Sequence, residues 1–177
     1  MSVVVVSSGD SIASKTRTLA SAALDLGRPL IPDGEGLLID LIDLPADALL
    51  GRRSDPAVEQ AVAAASSASV LVLASPIYRA TFNGTLKAFL DRFPTDALAR
   101  TAVVLVATAG TPAHYLSLDT GGRSVVASLG GWTVPTVVYA VGADFTDGQP
   151  SEAVVATLRT ALGQAVALAD GLASSTR

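Results

Sequence analysis

The stretch Ser69–Pro94, "SVLVLASPIYRATFNGTLKAFLDRFP", changes character twice, and those changes decide the fold. Its first six residues form an apolar run with no alternation, the pattern of a strand buried on both faces. The polar, aromatic "SPIYRATFNG" follows: Pro76 stiffens the backbone as it leaves the strand, Tyr78 offers a flat face and a hydroxyl, and Asn83 with Gly84 permits close approach at a helix start. From Asn83 to Phe93 the apolar residues Leu86, Phe89, Leu90 and Phe93 recur at i, i+3, i+4 and i+7, which makes one face of a helix.

The same unit of strand, polar loop and helix repeats outward in both directions. Upstream, Val3–Val6 reads as a strand, Ser14–Leu26 as a helix with a capping serine and Gly27 at its end, Gly36–Leu44 as a strand, and Asp55–Ser67 as an Ala-rich helix. Downstream, Thr101–Thr108 and Val134–Ala140 read as strands, Gly121–Leu129 as a helix with a glycine-rich start, and Ser151–Leu172 as a closing helix. Five alternations imply an α/β fold with a five-stranded parallel sheet covered by helices on both faces, because a parallel pair needs a crossover to return the chain. The 177 residues fit one domain, with a polar tail from about 173 to 177 expected to be disordered.

Composition narrows the function. Half the residues are hydrophobic and 16% are charged, far from the regime of disordered chains. A net charge of -4 with no basic stripe argues against a nucleic-acid partner, although a small anion held by local donors stays open. With no cysteine and a single histidine, His114, thiolate chemistry is excluded and neither a zinc site nor a catalytic triad is expected. The start "MSVVVVSSGD" lacks the basic residues and apolar length of a signal peptide or a membrane span, so a soluble, cytoplasmic protein with no membrane partner is expected.

In a parallel sheet the loops leaving the C-terminal strand ends share one edge, where ligands bind at the reversal of strand order. The polar residues of this chain collect in the loops after the first, third and fourth strands. The first, Ser7–Arg17, offers five hydroxyls, one glycine and the basic pair Lys15 and Arg17 at a helix mouth, which suits a phosphate. The same composition fits an ordinary serine-rich turn; it matches neither the dinucleotide nor the nucleoside-triphosphate fingerprint. In the third-strand loop a planar heteroaromatic ring can lie on the ledge at Tyr78. Alternatively Tyr78 and Phe82 pack at the sheet edge, and Lys87 with Asp91 is a surface i,i+4 pair. The fourth-strand loop, "TAGTPAH" from Thr108 to His114, has small residues that leave room and free N–H groups. A lone histidine such as His114 is more often a local hydrogen-bonding residue than a catalyst.

With P-x-Y, G-x-L-K and the following D and P in Ser75–Pro94, S-x-T-R after the first strand and "TAGTPAH" after the fourth, the sequence resembles the NAD(P)H-dependent FMN reductase family. These are flavodoxin-like flavoproteins that include the reductases feeding sulfonate monooxygenases. The resemblance implies the strand order 2-1-3-4-5. It places the phosphate loop on Ser8, Gly9, Ser14, Thr16 and Arg17, and the ribityl and ring ledge on Pro76, Ile77, Tyr78 and Arg79. The third loop contributes Thr108, Ala109 and Gly110, with His114 as a further candidate cofactor contact. Two positions depart from the family pattern: Ser8–Gly9 stands where G-S followed shortly by Arg is usual, and Ala109 where Gly is frequent.

The implied activity is hydride transfer from the nicotinamide of NAD(P)H to N5 of FMN, with no acid, base or nucleophile demanded of the protein. Arg79 is expected to attract the nicotinamide nucleotide. The implied partner is a flavin-dependent monooxygenase that takes up reduced FMN, and the implied assembly is a homodimer or homotetramer using part of the 83–93 helix. The rival readings are a quinone or azo reductase with bound FMN, a non-catalytic flavodoxin-like electron carrier, which the modest negative charge disfavours, and a flavin-free module that kept the fold.

Overall fold

The computed structural model describes residues 1–31 and 34–174. In chain order the elements are β1 (Ser2–Ser7), α1 (Lys15–Gly27), β2 (Glu35–Asp40), α2 (Ala46–Leu49), α3 (Pro56–Ser66), β3 (Val70–Tyr78), β4 (Thr81–Phe82), α4 (Gly84–Leu90), β5 (Ala102–Ala109) and α5 (Leu116–Ser128). The chain continues through β6 (Trp132–Thr133), β7 (Val138–Val141), β8 (Phe145–Thr146), β9 (Gln149–Pro150) and α6 (Glu152–Ser174).

Parallel pairing runs β2-β1-β3-β5, and β5 then pairs with both β6 and β7. Counted as core strands this is the flavodoxin-like order 2-1-3-4-5, with the fifth strand in two pieces and the short β4 added antiparallel to β3. Successive residues of a strand face opposite sides, so Val4 and Val6 enter the core beneath α3, α4 and α5, while Val3 and Val5 enter the one beneath α1 and α6. Both faces need an apolar side chain at every position. That is why the strands read as unbroken valine and leucine runs.

Most element limits agree with the sequence reading; five differ for physical reasons. α4 ends at Leu90 rather than Phe93, because Arg92 N and Phe93 N close tighter turns onto Phe89 O and Leu90 O ahead of Pro94. β2 stops at Asp40 rather than Leu44, because the chain turns there into a 3-10 turn at Leu41–Asp43. β3 runs past Ala74 to Tyr78 and folds back as β4, so the expected loop is mostly a hairpin. Pro76 is tolerated there because it shares the parity of Ala74, whose carbonyl faces β1, and β1 ends at Ser7, before a donor at Pro76 would be needed.

α5 begins at Leu116, five residues before the expected start, and holds Gly121 and Gly122 inside it. A Cβ at Gly122 would lie 3.0 Å from Leu105 Cδ1, so the glycine lets the helix approach the sheet, a tertiary reason that outweighs helix propensity. The fifth strand breaks around Pro135; Arg123 of α5 donates to the carbonyls of Val134 and Pro135, both at 2.8 Å, and satisfies the broken ladder. In the expected tail, residues 173 and 174 belong to the last turn of α6, and 175–177 lie outside the described residues.

The apolar stripe of α4 is spent inside the chain. Leu86, Phe89, Leu90 and Phe93 are all buried, with Phe89 and Phe93 in an edge-to-face pair at 5.2 Å. Lys87 and Asp91 form the exposed i,i+4 pair at 2.6 Å, in line with the plainer of the two readings. Among the described residues no helix is long and apolar enough to cross a membrane.

Candidate functional site

The loops after β1, β3 and β5 meet at one sheet edge, tied together from beneath by buried hydrogen bonds. Asn83 caps α4 by accepting from Leu86 N at 3.1 Å, and its Nδ2 donates to Ser8 O at 2.6 Å, joining the first loop to the third. Ser75 Oγ accepts from Asn83 N at 3.0 Å, which fixes the same corner from β3. Thr16 and Thr108 share a hydroxyl contact of 2.6 Å that joins α1 to β5. Three segments far apart in sequence are thereby held in one relative position.

In the first loop, Gly9 is required by close packing, since a Cβ there would lie 2.1 Å from Ser14 Oγ. Ser14 is the N-cap of α1: its Oγ accepts from Arg17 N at 3.1 Å, and Thr18 N donates to its carbonyl. Among the described residues this leaves the N–H groups of Lys15 and Thr16 without an intramolecular acceptor at the positive end of a 13-residue helix. Ser8 is buried, and both its N and its Oγ donate to Ala74 O.

The two cations of this loop have different fates. Arg17 turns away: its Nε lies 2.7 Å from Asp40 Oδ2, an ion pair whose angle falls outside hydrogen-bond geometry. Burial pushes the Asp40 carboxyl above its ordinary value of 3.8, with the Ile42 backbone N–H, Arg17 and Ser7 pulling it back. Lys15 faces the other way. It lines a cavity of about 190 Å³ together with Pro76, Ile77, Tyr78, Thr108, Ala109 and Gly110.

Pro76–Tyr78 and Thr108–Gly110, expected as ring ledge and small-residue loop, are the residues that line this cavity. No atom lies within 4 Å of where a Cβ at Gly110 would stand, so the loop leaves its space open. Tyr78 is half exposed and donates its hydroxyl to Asp10 Oδ2 at 2.5 Å across the mouth; that bond, ahead of desolvation, raises the Tyr78 pKa. Arg79 and Ala80 form the β3–β4 turn with φ of 53° and 61°, a left-handed pair that carries the Arg79 side chain outward. The β5 loop is braced by Tyr139, whose hydroxyl donates to Thr111 O at 2.7 Å and whose ring meets Tyr115 edge to face at 5.7 Å.

Of the expected residues, six line the cavity, Pro76–Tyr78 and Thr108–Gly110; Ser8, Gly9, Ser14 and Thr16 stand beside it in the first loop, and Arg17, Arg79 and His114 are likewise not among those lining it. His114 closes a 3-10 turn, and its carbonyl accepts from Ser117 Oγ at 2.6 Å. Lys15, noted in the sequence beside Arg17 at the helix mouth, lines the cavity, and Asn83, noted at a helix start, ties two loops together; Asp10 is the addition, marked only by its contact with Tyr78. Larger hollows of about 350 and 620 Å³ lie elsewhere, one at the opposite sheet edge around Ser66–Ser69 and Thr101, the other between α3 and the end of α4. Neither joins a cation to free helix-end amides. Chemistry rather than volume selects the smaller one.

The edge fits a flavin mononucleotide: a helix mouth with two amides and an ammonium that have no acceptor or carboxylate partner among the described residues, for the phosphate, and a shelf of small residues and a tyrosine for a planar ring. Comparison with known proteins points the same way. The family described as NADPH-dependent FMN reductase matches residues 1–146. An FMN reductase (NADPH) of Pseudomonas aeruginosa is 38% identical over 96% of this chain and 92% of its own length. The NADH-dependent FMN reductase SfnF of Pseudomonas fluorescens is 37% identical over 95% and 91%. The apo crystal structure of an NADH:FMN oxidoreductase (EMOB) superposes with a TM-score of 0.86 at 38% identity, covering 94% of this chain and 88% of that one.

Proposed function

The chain belongs to the NADPH-dependent FMN reductase family, and from that membership we propose how its own residues divide the work of binding FMN and NAD(P)H. The FMN phosphate is held by the amides of Lys15 and Thr16, the Ser14 hydroxyl and the Lys15 ammonium. Arg17, paired with Asp40, holds the loop rather than the ligand. The observation that carries this reading is the position of Lys15, which shares one cavity wall with Pro76–Tyr78 and Thr108–Gly110.

When bound, the flavin supplies the hydride chemistry, accepting from the nicotinamide; the protein positions and shields. The backbone at Ile77, Tyr78 and Gly110 offers hydrogen-bonding groups to the polar edge of the ring, and Tyr78, fixed by Asp10, forms one wall. Arg79, projecting from the strained turn, attracts the anionic nicotinamide nucleotide. His114 stands aside from the chemistry.

Reduced FMN passes to a flavin-dependent monooxygenase in the cytoplasm, and the whole chain acts as one domain. The relatives' names support reduction of free flavin over permanent electron carriage. Assembly into a homodimer or homotetramer uses the exposed Ile12, Tyr115 and Leu116 near the cavity, since the α4 stripe is already buried. The test is steady-state oxidation of NADH and of NADPH with and without added FMN. Oxidation that depends on FMN supports the reading; no oxidation of either nucleotide with FMN present rejects it.

A further inference from the structure

The geometry points to Phe145, on the corner after the last core strand, as the residue that positions the Lys15 ammonium for a phosphate and so sets the preference for FMN over riboflavin; this rests on the phosphate assignment above. Lys15 Nζ lies 5.4 Å from the centroid of the Phe145 ring, within the range in which a ring face attracts a cation. Among the described residues Lys15 has no carboxylate partner, so the ring is what holds it, whereas Arg17 is held by Asp40. Gly142 lies under the same ammonium: a Cβ there would come 3.5 Å from Nζ.

The corner that carries the ring is itself fixed. Asp144 Oδ2 accepts from Val141 N at 2.7 Å, Ser151 N donates to Asp144 O at 2.7 Å, and β8 pairs with β9 so that Phe145 is held opposite Pro150. Phe145 is partly buried against the core beneath α1 and α6. A ring face attracts an ammonium without taking up its charge in an ion pair, so the N–H groups turned away from the ring remain available to phosphate oxygens. A free lysine would have to give up the freedom of its four-carbon stem on binding; one already resting on a ring gives up less.

The test is equilibrium titration, without nicotinamide nucleotide, of FMN and of riboflavin by quenching of flavin fluorescence. Phe145→Leu should weaken FMN about two- to fivefold and leave riboflavin unchanged, while Phe145→Tyr, which keeps the ring face, should restore FMN affinity. In a Lys15→Met background, Phe145→Leu should add nothing. The proposal is overturned if Phe145→Leu leaves FMN unchanged or tightens it, weakens both flavins alike, or costs as much without Lys15 as with it. Should Leu unfold the corner, Phe145→Met removes the ring face with a flexible side chain and is read in the same way. A Lys15→Met variant that binds FMN as tightly as wild type refutes the phosphate assignment itself, and the positioning role with it; an effect at Lys15 with none at Phe145 refutes the positioning role alone.

Discussion

Asn83→Ala should be the most damaging single change near the site that touches no ligand. The side chain caps α4 through Leu86 N and donates to Ser8 O at 2.6 Å, and the residue is only 8% exposed. Losing the cap costs about 1 kcal/mol. Stranding the Ser8 carbonyl adds about 1–3 kcal/mol, for a total of about 2–4 kcal/mol. At roughly 2–4 °C per kcal/mol for a chain of this size, the thermal midpoint should fall by roughly 4–16 °C. Urea denaturation followed by circular dichroism measures this, with an unchanged slope showing that the native fold is retained. Asn83→Ser keeps a cap acceptor but not the donor, and should recover about 1 kcal/mol. Asn83→Asp sets a carboxylate against the Ser8 carbonyl and should be less stable than the serine variant. A loss below about 0.5 kcal/mol in Asn83→Ala would refute the view that this bond braces the first loop against the third.

Two further predictions concern the polar contacts on either side of α1. Because burial raises the Asp40 pKa, the folded state binds its proton more tightly than the unfolded state does; the stability Asp40 contributes is full below its ordinary value of 3.8 and is lost as pH rises through the folded value. Urea midpoints of wild type minus Asp40→Asn should therefore fall with rising pH across that window, and a rising difference would contradict the assignment. Thr16→Val leaves the buried Thr108 hydroxyl without its 2.6 Å partner and should cost about 1–3 kcal/mol, whereas Thr16→Val with Thr108→Val should cost clearly less than the sum of the two single changes. Additive losses in the denaturation cycle would show that the hydroxyls do not depend on each other.

The sheet was legible because valine and leucine runs buried on both faces have few other uses, and three of the helices between them begin at a capping residue: Ser14, Asp55 and Asn83 all cap where the sequence suggests. That Pro76–Tyr78 and Thr108–Gly110 meet at one sheet edge was legible for the same reason, since both segments follow apolar runs. What stayed hidden depends on neighbours remote in sequence. Lys15 and Arg17 stand together at the helix mouth, and the family resemblance points to Arg17; the ion pair of Arg17 is visible only once β1 pairs with β2, which sets Asp40 beside Ser7 and within reach of Arg17. Gly122 looked like a weak helix start because its reason is Leu105 of β5. Phe145 lies in a segment with no motif, and its value arises only where it meets Lys15.

The central claim is that the loops after β1, β3 and β5 form one flavin site, and mapping of backbone amide shifts during FMN titration tests it most directly. Resonances of residues 9–16, 76–79 and 108–111 should move together with one affinity, with riboflavin moving the second and third groups but much less of the first. Shifts confined to the hollow between α3 and the end of α4, or different affinities for the three groups, would contradict it.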